Sequence, residues 1–186
     1  MNSISLNKNT VFSILLAVIT GAIIYRITPT YVNDVFTLVI SKNRTTITDI
    51  HQVRDIEMSK VVTLDHLNLA ENDRFRHPKL GDIGYSGDFF VDINAPFLVK
   101  KAGDYVFYLG SDDGFVFSVD GKKICEWTHD RPFTTNICHV NLGAGQHNFK
   151  LVYFDGYGNS GLAMSYAFAA DGTQYVAGEN SKYLKF

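Results

Sequence analysis

The sequence is short of cysteine, of clustered basic residues and of recognisable catalytic patterns, and each shortage excludes a class of protein. Two cysteines are too few for a disulfide scaffold. The 17 basic and 19 acidic residues are interspersed without a basic stripe, so we do not expect nucleic acid as a partner. No Ser-His-Asp, Cys-His or phosphate-loop pattern stands out, so we do not expect an enzyme.

Aromatic residues and glycine are plentiful, whereas proline is not: 14 Phe, 10 Tyr and 15 Gly stand against 4 Pro. From residue 61 onward, short runs with strand-like alternation are separated by turn signals. Clear examples are DFFVDI, DYVFYL, FVFSV, NICHVNL, HNFKLVYF and GLAMSYAF. This spacing predicts an all-β domain, an antiparallel β-sandwich over residues 61–186.

The N-terminal part contains an apolar segment, residues 11–27, after a short tail of residues 1–10, and it is uncharged from Val11 to Tyr25. Its length is just sufficient for a membrane-spanning helix with interfacial anchoring by Tyr25 and Arg26. A cleaved signal peptide is the alternative, because Thr20, Gly21 and Ala22 offer small residues for cleavage. We expect a retained single-pass anchor that places the following domain outside the cytoplasm, in a periplasmic or extracellular space.

Residues 28–60 are predicted to form a juxtamembrane helix followed by a linker. Thr28 and Pro29 have the character of a helix start. Five apolar residues then recur at helical spacing and would form one face for a partner protein or the membrane surface. They are Val32, Val35, Phe36, Val39 and Ile40.

The two cysteines, Cys125 and Cys138, lie on neighbouring predicted strands. They could be two small buried thiols in a reducing compartment. A disulfide across a β-hairpin fits an exported domain, and we expect this bond.

The stretch Ser111-Asp112-Asp113-Gly114 between two predicted strands is either the turn of a β-hairpin or part of a cation site. Adjacent side chains on a regular strand point to opposite faces, so the two carboxylates converge only if the backbone between them is unusual. Ca²⁺ takes six to eight oxygen ligands, and Asp155 in a glycine-rich loop could add another carboxylate.

The order of these motifs resembles the protective-antigen (PA14) domain family, which includes toxin domains, glycosidase inserts and flocculin or GLEYA-type adhesins. The resemblance covers about residues 81–186, and the matching positions in this sequence are Gly103, Tyr105, Phe107, Ser111 to Gly114, Asp120 to Lys122, Gly145, His147, Tyr153 and Phe154. One departure is that Tyr105 stands one residue later than usual. The resemblance implies a β-sandwich.

In the adhesin branch, the resemblance further implies an Asp-Asp pair joined by a cis peptide that binds Ca²⁺, which in turn coordinates sugar hydroxyls. Carried over, Asp112, Asp113 and Asp155 would bind through side chains, and Tyr157 and Asn159 through backbone carbonyls. The adhesins commonly have Asn where Asp155 aligns, so three carboxylates here should hold the ion more tightly and suit a hydroxyl ligand less well. Tyr157, Asn159 and Trp127 are the expected sugar-contacting residues, although Trp127 could instead cap the core.

Two functions remain open at this stage. The first is a membrane-anchored extracytoplasmic binding module, with Ca²⁺ as cofactor and a glycan as ligand. The second is a scaffold subunit of a membrane assembly, which would contact partner proteins through the sandwich and the juxtamembrane helix. Fold alone does not decide between them.

Overall fold

The computed structural model describes residues 7–27 and 31–186, which belong to two compact units. The first unit contains helix α1, Lys8–Ile27, and the second comprises Val32–Phe186. The backbone N–H of Thr10 donates to Asn7 Oδ1 at 2.9 Å and so caps the first turn of α1. The Lys8–Arg26 stretch, with a mean hydropathy of 1.6, is long and apolar enough to cross a membrane. The predicted helix start at Thr28 and Pro29 lies outside the described residues.

The second unit is an antiparallel β-sandwich, as predicted. Its strands are β1 Phe36–Asn43, β2 Ile56–Leu64, β3 Asn68–Leu69, β4 Arg76–His77, β5 Gly81–Asp82, β6 Phe89–Val99, β7 Gly103–Asp112, β8 Phe115–Val119, β9 Lys122–Trp127, β10 Thr134–Leu142, β11 Gly145–Asp155, β12 Gly161–Phe168, β13 Gln174–Val176 and β14 Leu184–Lys185. One sheet has the order β2-β1-β6-β11-β8-β9, with β14 on β6, and the other has the order β10-β7-β12-β13, with β3 on β12. Strands β4 and β5 form a small separate hairpin.

The core lies between the two sheets and is rich in aromatic side chains. Alternation along each strand places every second residue inside. Two strands show the buried face clearly, with Phe115, Phe117 and Val119 on β8, and Tyr105, Phe107 and Leu109 on β7. At the turn between β8 and β9, Asp120 and Gly121 have φ values of 50° and 77°, as a two-residue hairpin turn requires.

The prediction of a helix and a linker over residues 28–60 was wrong for the described part, because β1 and β2 are strands of the larger sheet. Phe36, Leu38 and Ile40 point into the core and are 0–1% exposed. Residues four apart, such as Phe36 and Ile40, fit both a helical and a strand period, and Leu38 between them distinguishes the two. The sandwich therefore includes this region and begins at residue 32.

The apolar face predicted to contact a partner or the membrane does not exist as such. Val32, Phe36 and Ile40 are buried within the second unit, and Val35 packs against its core. Val39 alone points outward, 39% exposed, and its strand partner is Val61. The alternating directions of strand residues separate the five side chains that a helix would have grouped.

A second, smaller apolar cluster covers part of the outer face of the larger sheet. Ile47 and Ile50, from the connection between β1 and β2, pack there on Phe90 and Phe154. This packing fixes the end of β11, because Phe154 directly precedes Asp155. The connection from β1 to β2 thus supports the loop that follows β11.

Candidate functional site

The Asp112–Asp113 pair lies where the chain crosses from one sheet to the other. Strand β7 ends at Asp112 in the smaller sheet, and β8 begins at Phe115 in the larger one. The two strands do not pair with each other, so the hairpin interpretation of this stretch was wrong. The peptide bond between Asp112 and Asp113 is cis, as the family resemblance implied.

Backbone amides from two different loops hold the carboxylates of the pair. Asp113 accepts the N–H of Arg131 on Oδ1 at 3.1 Å and the N–H of Gly156 on Oδ2 at 2.8 Å. The backbone N–H of Phe133 donates to the carboxylate of Asp112. Asp112 is 7% and Asp113 4% exposed, so both residues of the pair are buried. Amide donors alone leave most of the negative charge on this pair uncompensated.

Asp155, at the end of β11, brings a third carboxylate to the pair. It is 1% exposed, and neither of its carboxylate oxygens has a hydrogen-bond partner among the residues that the structure describes. Burial, followed by the charges of Asp113 and Asp112, raises the pKa of Asp155 to about 8. Burial and the charge of Asp113 likewise raise the pKa of Asp112 to about 6. An isolated buried carboxylate is unfavourable unless it is protonated or paired with a cation.

The nearest basic side chains are engaged elsewhere. Arg131 donates from Nη2 to Ser111 Oγ at 2.7 Å and from Nη1 to Asn136 Oδ1 at 2.6 Å. Lys42 donates to the Gly87 carbonyl at 2.8 Å. Neither the Arg131 nor the Lys42 side chain forms a hydrogen bond with a carboxylate oxygen of Asp155. The positive charge of Lys42 therefore lowers the pKa of Asp155 only by electrostatic attraction at a distance.

Arg131 is the residue of this site that the sequence did not point to. It lies in the connection between β9 and β10, and its guanidinium carbon is 5.1 Å from the centre of the Trp127 ring. Its charge opposes the burial-driven rise in the pKa of Asp112 and Asp113. A single arginine in a polar loop carries no local pattern that would reveal this placement.

Two glycines allow the loops to close around the carboxylates. A Cβ atom on Gly114 would lie 2.7 Å from the carbonyl oxygen of Trp127 and would also overlap the Phe154 ring. A Cβ atom on Gly156 would collide with the carbonyl oxygen of Ile47. Glycine after Asp113 and after Asp155 is therefore a packing requirement of the site.

We call Asp112, Asp113 and Asp155 the carboxylate centre. Its donor set consists of oxygens only, which suits a hard cation such as Ca²⁺ better than a soft transition metal. The unpaired, buried oxygens of Asp155 are where such an ion would compensate the charge. The residues present therefore fit a Ca²⁺ site.

Of the other predicted ligand residues, Tyr157 and Asn159 lie beside a cleft, and Trp127 lies away from it. Tyr157 and Asn159 follow Asp155 and line a cleft of about 690 Å³, and the Tyr157 side chain is 93% exposed. Trp127 is 42% exposed, packs on Arg131 and is not part of that cleft. The structure thus brings the three aspartates together and places only Tyr157 and Asn159 beside the cleft.

Asp65, His66 and His77 form a further cluster of possible metal ligands. His77 Nδ1 accepts the backbone N–H groups of Lys79 and Leu80, so Nε2 carries the proton and donates to Asp65 Oδ1 at 2.9 Å. The ammonium group of Lys79 lies 2.9 Å from Asp65 Oδ2. Hydrogen bonds and Lys79 already satisfy this carboxylate, in contrast to Asp155, so we assign the cluster a structural role.

The two cysteines form the expected disulfide, with Cα atoms 5.9 Å apart. The expected hairpin is absent, because Cys125 lies on β9 in the larger sheet and Cys138 on β10 in the smaller one. The bond therefore links the two sheets. It also closes the base of the connection that provides the amide donors of Arg131 and Phe133.

The model of the PA14 domain family matches residues 81–177, just over half of the chain. No curated protein matches the sequence. Among solved structures, a PA14 sugar-binding domain from an RTX adhesin aligns with a TM-score of 0.58 at 18% identity, covering 78% of this chain and 95% of that one. The A domain of epithelial adhesin 6 from Candida glabrata, in complex with Galβ1-3GlcNAc, aligns with a TM-score of 0.54 at 11% identity, covering 80% and 85%.

A β-glucosidase from Kluyveromyces marxianus aligns with a TM-score of 0.53 at 18% identity, and the match covers 72% of this chain but 17% of the enzyme. These likenesses agree with the sandwich described above. With the family match over residues 81–177, they lead to one conclusion: the chain belongs to the PA14 domain family.

Proposed function

We propose that this protein is a membrane-anchored module that binds carbohydrate through a Ca²⁺ ion held by the carboxylate centre. The observation that carries the proposal is the buried, unpaired carboxylate of Asp155 beside the Asp112–Asp113 pair. The family gives it a context, since two structures of similar fold are a sugar-binding domain and an adhesin domain with a bound disaccharide.

In this proposal, Asp112, Asp113 and Asp155 bind Ca²⁺ through their side chains. Tyr157 and Asn159 add backbone carbonyls from the loop after β11. The bound ion supplies ligand positions for sugar hydroxyls. The chain itself orients the carboxylate of Asp113, because the loop amides of Arg131 and Gly156 fix it from two sides.

Helix α1 supplies the anchor in the same proposal, and the sandwich lies outside the cytoplasm. The disulfide supports this location, because such bonds persist in oxidising compartments. Protease added to intact cells should digest the sandwich. Protection that ends only when the membrane is permeabilised would contradict the orientation.

A scaffold role is the weaker alternative. Its main support was the apolar helical face from Val32 to Ile40, most of which packs in the sandwich core instead. We also expect no catalytic activity. The glucosidase match covers a small share of that enzyme, so nothing in it transfers a reaction to this chain.

The proposal is tested with the full-length protein in lipid nanodiscs, because many detergents are themselves glycosides. Metal analysis should find about one Ca²⁺ per chain at a coordination site of this kind. A glycan array should show binding that EDTA abolishes and Ca²⁺ restores. Asp113→Ala should abolish binding, and Asp55→Ala, at an exposed ion pair with Arg44, is the matched control. Binding that ignores both EDTA and Asp113→Ala would refute the role of the ion.

A further inference from the structure

The outer face of the smaller sheet has no Asp, Glu, Lys or Arg in its central rows. Strands β10, β7 and β12 pair side by side, and β13 and β3 both pair with the far edge of β12. Opposite residues of paired strands lie on the same face, so the outward residues form transverse rows. Two rows, which we call the neutral face, are Ile137-Tyr108-Ser165-Val176 and Thr135-Gly110-Ala163-Asn68, and the next row, also without these residue types, is His139-Val106-Ala167-Gln174.

The neutral face is exposed and partly apolar, unlike the outer face of the larger sheet. Ile137 is 61% exposed, and Phe133, whose ring lies over Gly110, is 44% exposed. The larger sheet instead carries the ion pair of Asp92 with Arg54 on its outer face, and the connection from β1 to β2 covers part of it. An uncovered apolar area without charges indicates an interaction surface.

The relief of the neutral face consists of larger side chains beside a trough. Ile137 and Tyr108 lie on β10 and β7, and Phe133 lies at the end of the same two strands. The small residues Ala163 and Ser165 on β12 belong to the lining of an open trough of about 410 Å³. Because large and small side chains occupy opposite halves of the face, one copy can fit into another.

The rows are complementary to themselves. A two-fold axis parallel to the strands, between β7 and β12, places β7 of one copy over β12 of a second copy, and β10 over β13 and β3. Large residues then meet small ones, apolar residues meet apolar ones, and no charge is buried. The facing pairs are Tyr108 with Ser165, Ile137 with Val176, Gly110 with Ala163, and Thr135 with Asn68.

The size of the face also fits a second copy. Four strands about 4.8 Å apart and three rows about 7 Å apart give a footprint of roughly 400 Å² per copy. This area is at the lower end for specific complexes, where weak interfaces lie. Helix α1, long and apolar enough to cross a membrane, would hold two copies in one bilayer and raise their effective concentration.

From these features we infer that the neutral face joins two copies of this chain in a symmetric dimer. Strand β7 ends at Asp112, and the dimer axis runs along the strands, so both carboxylate centres lie at the same end of the dimer. The dimer goes beyond the proposed function and does not depend on it. Where both hold, the dimer is bivalent and binds clustered glycans more tightly than one copy does.

The test measures energy transfer between full-length chains in lipid vesicles without glycan. Donor and acceptor dyes are attached at Lys150→Cys, an exposed position on the larger sheet, and the native cysteines do not react because they form the disulfide. Transfer should fall when excess unlabelled chain is added at a constant density of labelled chain, as specific pairing requires. Ile137→Lys should weaken pairing at least about tenfold, because symmetry places an unpaired charge in the contact twice.

Val61→Lys is the matched control, because Val61 is 65% exposed on β2 of the larger sheet. It should leave the transfer unchanged, and the Tm of each variant shows that the sandwich is folded. Val176→Glu should weaken pairing as Ile137→Lys does. A mixture of these two variants should recover it, since the mixed dimer places the lysine opposite the glutamate.

Three results would overturn the dimer. They are wild-type transfer that unlabelled chain does not reduce, an equal loss in Val61→Lys, and a mixture that fails to recover. The first would leave the face for another protein or a flat polysaccharide. Each of them leaves the proposed function standing, because no glycan enters this test.

Discussion

Replacing Asp155 by Asn should stabilise the ion-free protein at alkaline pH, although the residue is buried at the end of β11. The side chain has almost the same size, and its oxygens have no hydrogen bond that the change would break. The substitution removes one buried negative charge that faces Asp112 and Asp113. The ion-free folded state should therefore lose a repulsion and little else.

The magnitude follows from the pKa of Asp155, which burial and the neighbouring carboxylates raise from 3.8 to about 8. Between these values the folded chain retains a proton that the unfolded chain has released, so the stability of the ion-free protein falls as pH rises. A carboxyl shifted this far costs the folded state about 5 kcal/mol at pH 8, and about 3 kcal/mol of that arises between pH 5.5 and pH 8.

The assay is thermal unfolding of full-length, EDTA-dialysed protein in nanodiscs, followed by the fluorescence of Trp127, the single tryptophan. For a chain of this size, about 3 kcal/mol corresponds to a decrease in Tm of roughly 6–12 °C from pH 5.5 to pH 8. Asp155→Asn should remove most of this decrease, and Asp55→Asn should not. Added Ca²⁺ should raise the wild-type Tm more at pH 8 than at pH 5.5, because the ion competes with protons.

The reasoning fails if EDTA-dialysed wild type is equally stable at both pH values. It fails equally if Asp155→Asn lowers the Tm at pH 8, since the carboxylate would then have a partner that stabilises it. A smaller but measurable Ca²⁺ response in Asp155→Asn is expected, because the amide oxygen can still bind the ion with less charge.

Three further predictions concern the parts around the carboxylate centre. Gly114→Ala should lower the Tm and weaken the Ca²⁺ response, because its Cβ would lie 2.7 Å from the Trp127 carbonyl oxygen. The control Gly143→Ala should do neither, because no atom lies within 4 Å of a Cβ at that position. Equal effects of the two variants would contradict the packing argument. Alkylation without reductant should leave Cys125 and Cys138 unlabelled in mass spectra, and replacing both by Ser should cost about 3 kcal/mol of stability. Carbonate extraction should leave the full chain in the membrane fraction, and its release into the supernatant would refute anchoring by α1.

The sequence was sufficient to predict the sandwich and the composition of the carboxylate centre. Strand β8 alternates between buried and half-buried residues, and the order of the motifs around Ser111-Asp112-Asp113-Gly114 is specific enough to carry the family resemblance. Long-range packing was not predictable. Phe36 and Ile40 fit both a helical and a strand period, and their segment pairs with β2 and β6 in the sheet.

The same limit explains the residues that the sequence did not reveal. Arg131 acquires its role from contacts with segments far away in the chain, such as Ser111. No local spacing encodes those contacts. The sugar contact predicted for Trp127 stays a prediction; in the structure its ring lies against Arg131 and is 42% exposed.

The carboxylate centre and the disulfide are mechanically connected, which makes the redox state relevant to binding. The loop between β9 and β10 provides the amide donors for Asp113 and Asp112, and the disulfide closes its base between the two sheets. Breaking the bond frees one end of this loop from the other sheet. The amides of Arg131 and Phe133 would then be held less firmly. They would compensate less of the repulsion among the three carboxylates. A Ca²⁺ site of this construction should therefore weaken when Cys125 and Cys138 are reduced, even though neither cysteine contacts the ion.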